Sequence, residues 1–175
     1  PASRSGVYDA DTAHAVMAFQ KHTGRKRTGT VGVKTYAKIR SAKRAKAPRW
    51  CADETRMCID ISKQTAYLRA GAKRRTFVVP VSTGNEQWFF TPSGARDFAN
   101  TPRGVYKIYF KRPNRTDGPL GTYYWFSAFL RGWGVHGSNS VPAHPASHGC
   151  VRVPRSIERW VYANLPIGAQ VHVHD

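Results

Sequence analysis

Polar and apolar positions alternate in short runs from Arg56 onward. Met57-Cys58-Ile59-Asp60-Ile61-Ser62, Thr65-Ala66-Tyr67-Leu68-Arg69 and Thr76 to Ser82 each have the length and composition of a strand. Lys63-Gln64 and Ala70 to Lys73 read as the turns between them. Runs of this length, rich in β-branched and aromatic residues and punctuated by Gly, predict a meander of short strands. Thr83-Gly84 ends the meander, and a polar and aromatic loop is expected up to Asn100. Thr101-Pro102-Arg103-Gly104 feeds another alternating run, Val105 to Phe110. Residues 111–121 show no period and read as loop. An aromatic block follows (Tyr123 to Phe126, then Phe129-Leu130), and Gly132-Trp133-Gly134-Val135-His136 comes next. Pro154 is placed to open a helix over Arg155 to Ala163, which ends near Leu165-Pro166-Ile167-Gly168. Gln170 to Val173 is a last strand.

The first forty residues have a helical period instead. Asp11 or Thr12 can cap a helix through Ala13 to Gln20, where Ala13, Val16 (or Met17) and Gln20 recur at a three-to-four spacing. Gly24 suits its C-terminal stop. A second helix, about Val33 to Arg40, follows the Gly29-Thr30-Val31-Gly32 turn. Two helices this short bury too little to fold alone, so a partner is missing or is supplied by the next domain. Residues 41–50 mix Lys and Arg with Ala, and Pro48 breaks any helix. They read as part of a basic linker, residues 41–55.

Charge sharpens this division. The net charge is +18, with twelve Lys/Arg against two acids in residues 1–50 and sixteen against eight in residues 51–175. Such a balance favours polyanions. Nucleic acid is not expected, because only Trp50 accompanies the basic run and no nucleic-acid motif follows. Anionic cell-wall polymers are a possible partner. No apolar run is long enough to span a bilayer. The chain opens at Pro1 and reads as a mature or trimmed form.

Three cysteines leave an odd one. Cys51 and Cys58, separated by six residues, are expected to form a disulfide, which implies an oxidising, extracytoplasmic compartment. Cys150 remains as a free thiol within Ser147-His148-Gly149-Cys150-Val151-Arg152. A cysteine nucleophile needs a base in reach, a group that orients the base, and donors for the oxyanion. His136 reaches Cys150 from another segment. His148 is two residues away, and on an extended chain its side chain points the same way, so it competes for the role of base. The N–H groups of Gly149 and Cys150 are candidate oxyanion donors. Arg152 suits a substrate carbonyl or carboxylate, Ser147 can orient His148 or tie down the loop, and of Trp125, Phe126 and Trp133, candidates to wall the substrate groove, Trp133 is expected to bind substrate. A rival reading takes His136, His144, His148 and Cys150 as zinc ligands. No second Cys or acidic ligand lies nearby, so no metal or other cofactor is expected.

Two stretches resemble known families. Tyr8-Asp9, Thr12, Ala15-Val16, Phe19-Gln20, Gly29, Gly32 and Thr35 are similar to the last two-thirds of a three-helix peptidoglycan-binding module, lacking its usual first helix. The combination His136-Gly137, Ser147-His148-Gly149-Cys150 and Arg152 resembles the L,D-transpeptidase (YkuD-type) catalytic domain. Val81 to Gly84, Thr101-Pro102-x-Gly104 and Ile167-Gly168-x-x-Val171 extend that likeness. The loop between His136 and Ser147 is short for the family and the Gly84–Thr101 insertion long. The resemblance implies a mainly β, sandwich-like catalytic domain with one helix over residues 56–175, after a partial three-helix module at 1–40. It implies a secreted or wall-associated enzyme, a carbapenem target, acting on peptidoglycan stem peptides as a monomer. Cys150 would form a thioester and then a 3→3 crosslink. His136 would be the base, oriented by the carbonyl of Gly137, with Gly137 near substrate. A carboxypeptidase using the same thioester and a non-catalytic wall-binding protein are the alternatives.

Overall fold

A computed structural model describes residues 6–175. The first five residues of the 1–40 module reading lie outside the described residues. Helices α1 (Ala10–His22) and α2 (Val33–Arg40) come first. The strands that follow are β1 (Met57–Asp60), β2 (Thr65–Ala70), β3 (Arg75–Pro80), β4 (Trp88–Phe90), β5 (Arg96–Phe98), β6 (Gly104–Lys107), β7 (Phe110–Gly118), β8 (Gly121–Leu130), β9 (Trp133–Ser138) and β10 (Val151–Pro154). Helix α3 (Glu158–Ala163) and β11 (Gln170–His174) complete the chain.

Two sheets share one core, as the alternating pattern requires. One has the order β3-β2-β1-β11-β6 and the other β10-β9-β8-β7; β4 and β5 pair separately. The β1–β11 and β9–β10 pairs are parallel. Met57, Ile59, Leu68, Val79, Val171 and Val173 of the first sheet meet Phe129, Val135, Val151 and Val153 of the second, with Val161 and Leu165 from the α3 region closing the core. Burying one such side chain contributes about 1.5–3 kcal/mol. This core fixes β9 and β10 side by side, and those strands flank the expected site.

Several boundaries differ from expectation. The cap of α1 is Asp9, not Asp11 or Thr12. Its Oδ1 accepts both the N–H and the hydroxyl of Thr12, each at 2.8 Å; Thr12 is the third helical residue, where an N-cap side chain finds an open donor. The expected loop up to Asn100 contains the β4–β5 hairpin. The expected loop 111–121 is mostly strand β7. Its polar sequence, Phe-Lys-Arg-Pro-Asn-Arg-Thr-Asp-Gly, hides a strand that forms because β8 supplies the pairing. It lies at a sheet edge, where Pro113 costs no ladder bond, and a register shift between Arg112 and Arg115 absorbs the irregular pair Pro113-Asn114. Pro154 ends β10 rather than opening the helix, and α3 starts at Glu158.

Helix α1 of the helical pair finds its partner in the two-sheet sandwich. Helix α1 packs against β3 and β2 and buries Val16, Ala18, Gln20 and Lys21. Gln20 ties the following turn by donating to the Thr28 hydroxyl (3.0 Å) and the Thr30 carbonyl (2.9 Å) and accepting the Gly29 N–H (2.9 Å). Cys51 and Cys58 are joined in a disulfide. Just before it, Trp50 stacks on His174 with ring centroids 4.5 Å apart, so the end of the basic segment is packed on the sheet rather than solvated.

Candidate active site

Strands β9 and β10 run parallel, with Val135 opposite Val151 and His136 opposite Arg152. Cys150 directly precedes β10. His136, Ser147, His148, Cys150, Arg152 and Trp133 all line one cleft of about 630 Å³. The tip of the β7–β8 hairpin, from Gly118 to Thr122, forms its opposite rim, and Asp97 of β5 reaches it as well.

Cys150 is half-buried, and its thiol faces the Gly132 carbonyl at 3.6 Å. Burial pushes the thiol pKa up; the Gly134 backbone and the Arg152 charge pull the other way. His136 is only 8 % exposed, and its Nδ1 lies 2.9 Å from the Gly137 carbonyl. A carbonyl can only accept, so Nδ1 carries the proton and Nε2 is left as the basic nitrogen. Burial, with Arg152 adding to it, pushes the His136 pKa down to about 4 despite the Gly137 bond. The ring is therefore neutral at pH 7. Tyr123 meets it edge-on, at 5.8 Å between centroids.

His148 has a different setting. It is exposed, and its ring leans on Phe89 of β4 with centroids 4.6 Å apart. Ser147 does not orient it. The buried Ser147 hydroxyl donates to the Cys150 carbonyl (2.5 Å) and accepts the Gly149 N–H (3.0 Å). This corrects the expectation for Gly149: its N–H is committed inside the loop and is not an oxyanion donor. The glycine is needed for space. It sits at φ +141°, and a Cβ there would come within 2.7 Å of the Asn100 carbonyl and of Trp133 Nε1.

Gly137, expected near substrate, is buried and lies outside the cleft lining. A Cβ on it would fall 1.7 Å from Glu158 Oε2, so the α3 carboxylate fills that position. Glu158 is in turn paired with Arg155 at 2.7 Å. Trp133 does line the cleft, and its Nε1 also donates to the Asn100 carbonyl at 2.8 Å, bracing the site from beneath.

The supporting residues were not apparent from the motif. The Thr101 hydroxyl donates to the Gly149 carbonyl (2.6 Å) and accepts the Gly84 N–H (2.9 Å). The Thr83 carbonyl accepts the N–H groups of Ala146 and Ser147. Buried Gln64 holds Thr83 through both its N–H (2.8 Å) and its hydroxyl (2.7 Å). Thus the Thr83-Gly84 and Thr101-Pro102 stretches brace the loop that carries Cys150. Among the described residues, no group of three or more His, Cys, Asp or Glu is placed to hold a metal ion; His144 is exposed and does not line the cleft.

Residues 54–173 match the model of the L,D-transpeptidase catalytic domain. The chain belongs to the L,D-transpeptidase family. It is therefore an enzyme of peptidoglycan. Residues 1–39 match a putative peptidoglycan binding domain. An L,D-transpeptidase crystal structure from Xylanimonas cellulosilytica is similar over 99 % of this chain and 85 % of that one, with 33 % identity and a TM-score of 0.88. An L,D-transpeptidase structure from Stackebrandtia nassauensis shares the fold at 22 % identity (TM-score 0.57, covering 100 % of this chain and 83 % of that one). One from Mycobacterium smegmatis does so at 21 % (TM-score 0.53, 70 % and 59 %). Comparison with the curated proteins gives no match. A wall-enzyme family and a disulfide are together consistent with an extracytoplasmic location for this transpeptidase.

Proposed function

We propose that this transpeptidase works through a Cys150 thioester and builds 3→3 crosslinks between peptidoglycan stems. The observation that carries the reading is the neutral, carbonyl-anchored imidazole of His136 in the same cleft as the free thiol of Cys150. His136 Nε2 takes the Cys150 proton as sulfur attacks the carbonyl that precedes the terminal D-residue of a tetrapeptide stem. The Cys150 N–H faces the developing oxyanion. Collapse breaks the C–N bond; the imidazolium returns its proton to the departing amine, and a thioester remains. The side-chain amine of a second stem's diamino acid then attacks the thioester. It gives a proton to His136, a new amide forms, and the thiol is regenerated. Arg152, opposite His136 on β10, holds the donor's carboxylate or a peptide carbonyl in this reading.

The same acyl-enzyme hydrolyses if water replaces the amine, so the products decide between transfer and carboxypeptidase activity. Incubation with a disaccharide tetrapeptide is expected to give crosslinked dimer. Tripeptide alone would replace transfer with hydrolysis, and no product would leave a wall-binding role. A carbapenem is expected to add one drug mass at Cys150. We also infer that the chain acts outside the cytoplasm on stem peptides and glycan, and that its basic residues hold it to anionic wall polymer.

A further inference from the structure

The segment from Asn139 to Ala146 links His136 on β9 to the Ser147–Cys150 loop, and no regular strand holds it. Backbone carbonyls fasten it instead. Ser82 donates its hydroxyl to the His144 carbonyl at 2.9 Å. The two preceding carbonyls are taken from outside the catalytic domain. Arg27 Nη1 donates to the Ala143 carbonyl at 2.9 Å, and Lys21 Nζ approaches the Pro142 carbonyl at 3.5 Å. Both side chains belong to the N-terminal module.

Each side chain has a second hold on the sandwich. Arg27 Nη2 donates to the Ser62 carbonyl at 3.0 Å. Lys21 Nζ donates to the Val81 carbonyl at 2.9 Å, one residue before Ser82, whose hydroxyl grips the same segment, and two before Thr83. Lys21 is 1 % exposed, and burial, with Arg27 adding to it, pushes its pKa down to about 7; an amine is expensive to desolvate there in either form. Packing alone would be met better by an apolar side chain of that length. What an apolar side chain cannot do is bind two carbonyls on two separate segments.

We propose that Lys21 and Arg27 are positioning residues for the transfer site: they reach out of the peptidoglycan-binding module and pin Pro142 and Ala143, and through them the Ser147–Cys150 loop. The module is thereby a working part of the catalytic unit rather than only a tethered wall anchor.

The test uses the full chain with Lys21→Met and, separately, Arg27→Gln. Hydrogen exchange by mass spectrometry needs no substrate, so it stands even where the proposed reaction fails; only the turnover arm rests on that reading. Amide exchange in peptides spanning 139–149 is expected to quicken about tenfold in each variant, the effect of losing one or two hydrogen bonds. Exchange in β1 and β11 stays at the wild-type rate. Crosslinking kcat falls by about the same factor with KM within about twofold, and Arg27→Lys recovers most of the loss. Unchanged exchange at 139–149 in both variants would overturn the proposal, as would an increase spread evenly over the chain. Arg27→Gln alters a half-buried group, so it decides the matter where Lys21→Met does not fold.

Discussion

The two imidazoles beside Cys150 occupy opposite kinds of ground. His136 belongs to a central strand of the sandwich, is buried, and has Nδ1 fixed by a carbonyl. His148 is exposed on a loop and rests on Phe89 of a separate two-stranded hairpin. A general base needs a fixed tautomer and an unprotonated nitrogen, and the sandwich supplies both at His136. The hairpin side supplies a wall.

The sharpest way to break this contrast is to exchange the two losses. His136→Ala is expected to cut Cys150 acylation by about two to four orders of magnitude, whereas His148→Ala costs at most about tenfold. Single-turnover rates by mass spectrometry check both, and the reverse ranking would move the base to His148. Next in size is Gly149→Ala. Its φ of +141° and the 2.7 Å approach to Asn100 force the loop to shift, so stability should fall by about 1–3 kcal/mol, read from denaturant midpoints, with acylation lost alongside.

Acidity gives a third handle. Burial holds the folded-state pKa of His136 at about 4, below the ordinary 6.5. The unfolded chain therefore binds the proton first, so stability present above pH 6.5 is lost as pH falls from there toward 4. His136→Gln should flatten that part of the stability curve, measured by urea titration at several pH values; an unchanged slope would show that the ring is not held neutral. The smallest effect is expected on the hairpin side. Phe89→Ala should free the His148 ring and change turnover by less than about threefold, visible as a shift of the His148 NMR signals with those of His136 unmoved.

Much of the site is legible in the chain's own motifs. A His-Gly, a Ser-His-Gly-Cys and an Arg two residues on confine the chemistry to a few side chains, because a thiol nucleophile has few possible helpers. The sandwich core is legible too, since alternation marks strands with one buried face. The choice between His136 and His148 is not. The two-residue spacing puts His148 beside the thiol on an extended chain, but residues 147–150 are a turn closed by Ser147, and that turn sends His148 to the rim. The role of Gly149 misleads for the same reason: an N–H that looks free along the chain is a bonded one in the turn. Strand β7 is hidden because an edge strand that protrudes into water carries no apolar period. The grip of Lys21 on Val81 and Pro142 spans 60 and 121 residues, and no local pattern encodes a contact of that range.

The central claim is that Cys150 carries the acyl group. Intact-protein mass spectrometry after brief incubation with a tetrapeptide stem tests it most directly. The account predicts a mass increase equal to the stem lacking its terminal residue, mapped to Cys150 and absent in Cys150→Ala. Crosslinked product formed by Cys150→Ala at the wild-type rate, or an acyl group mapped to any other residue, would contradict it.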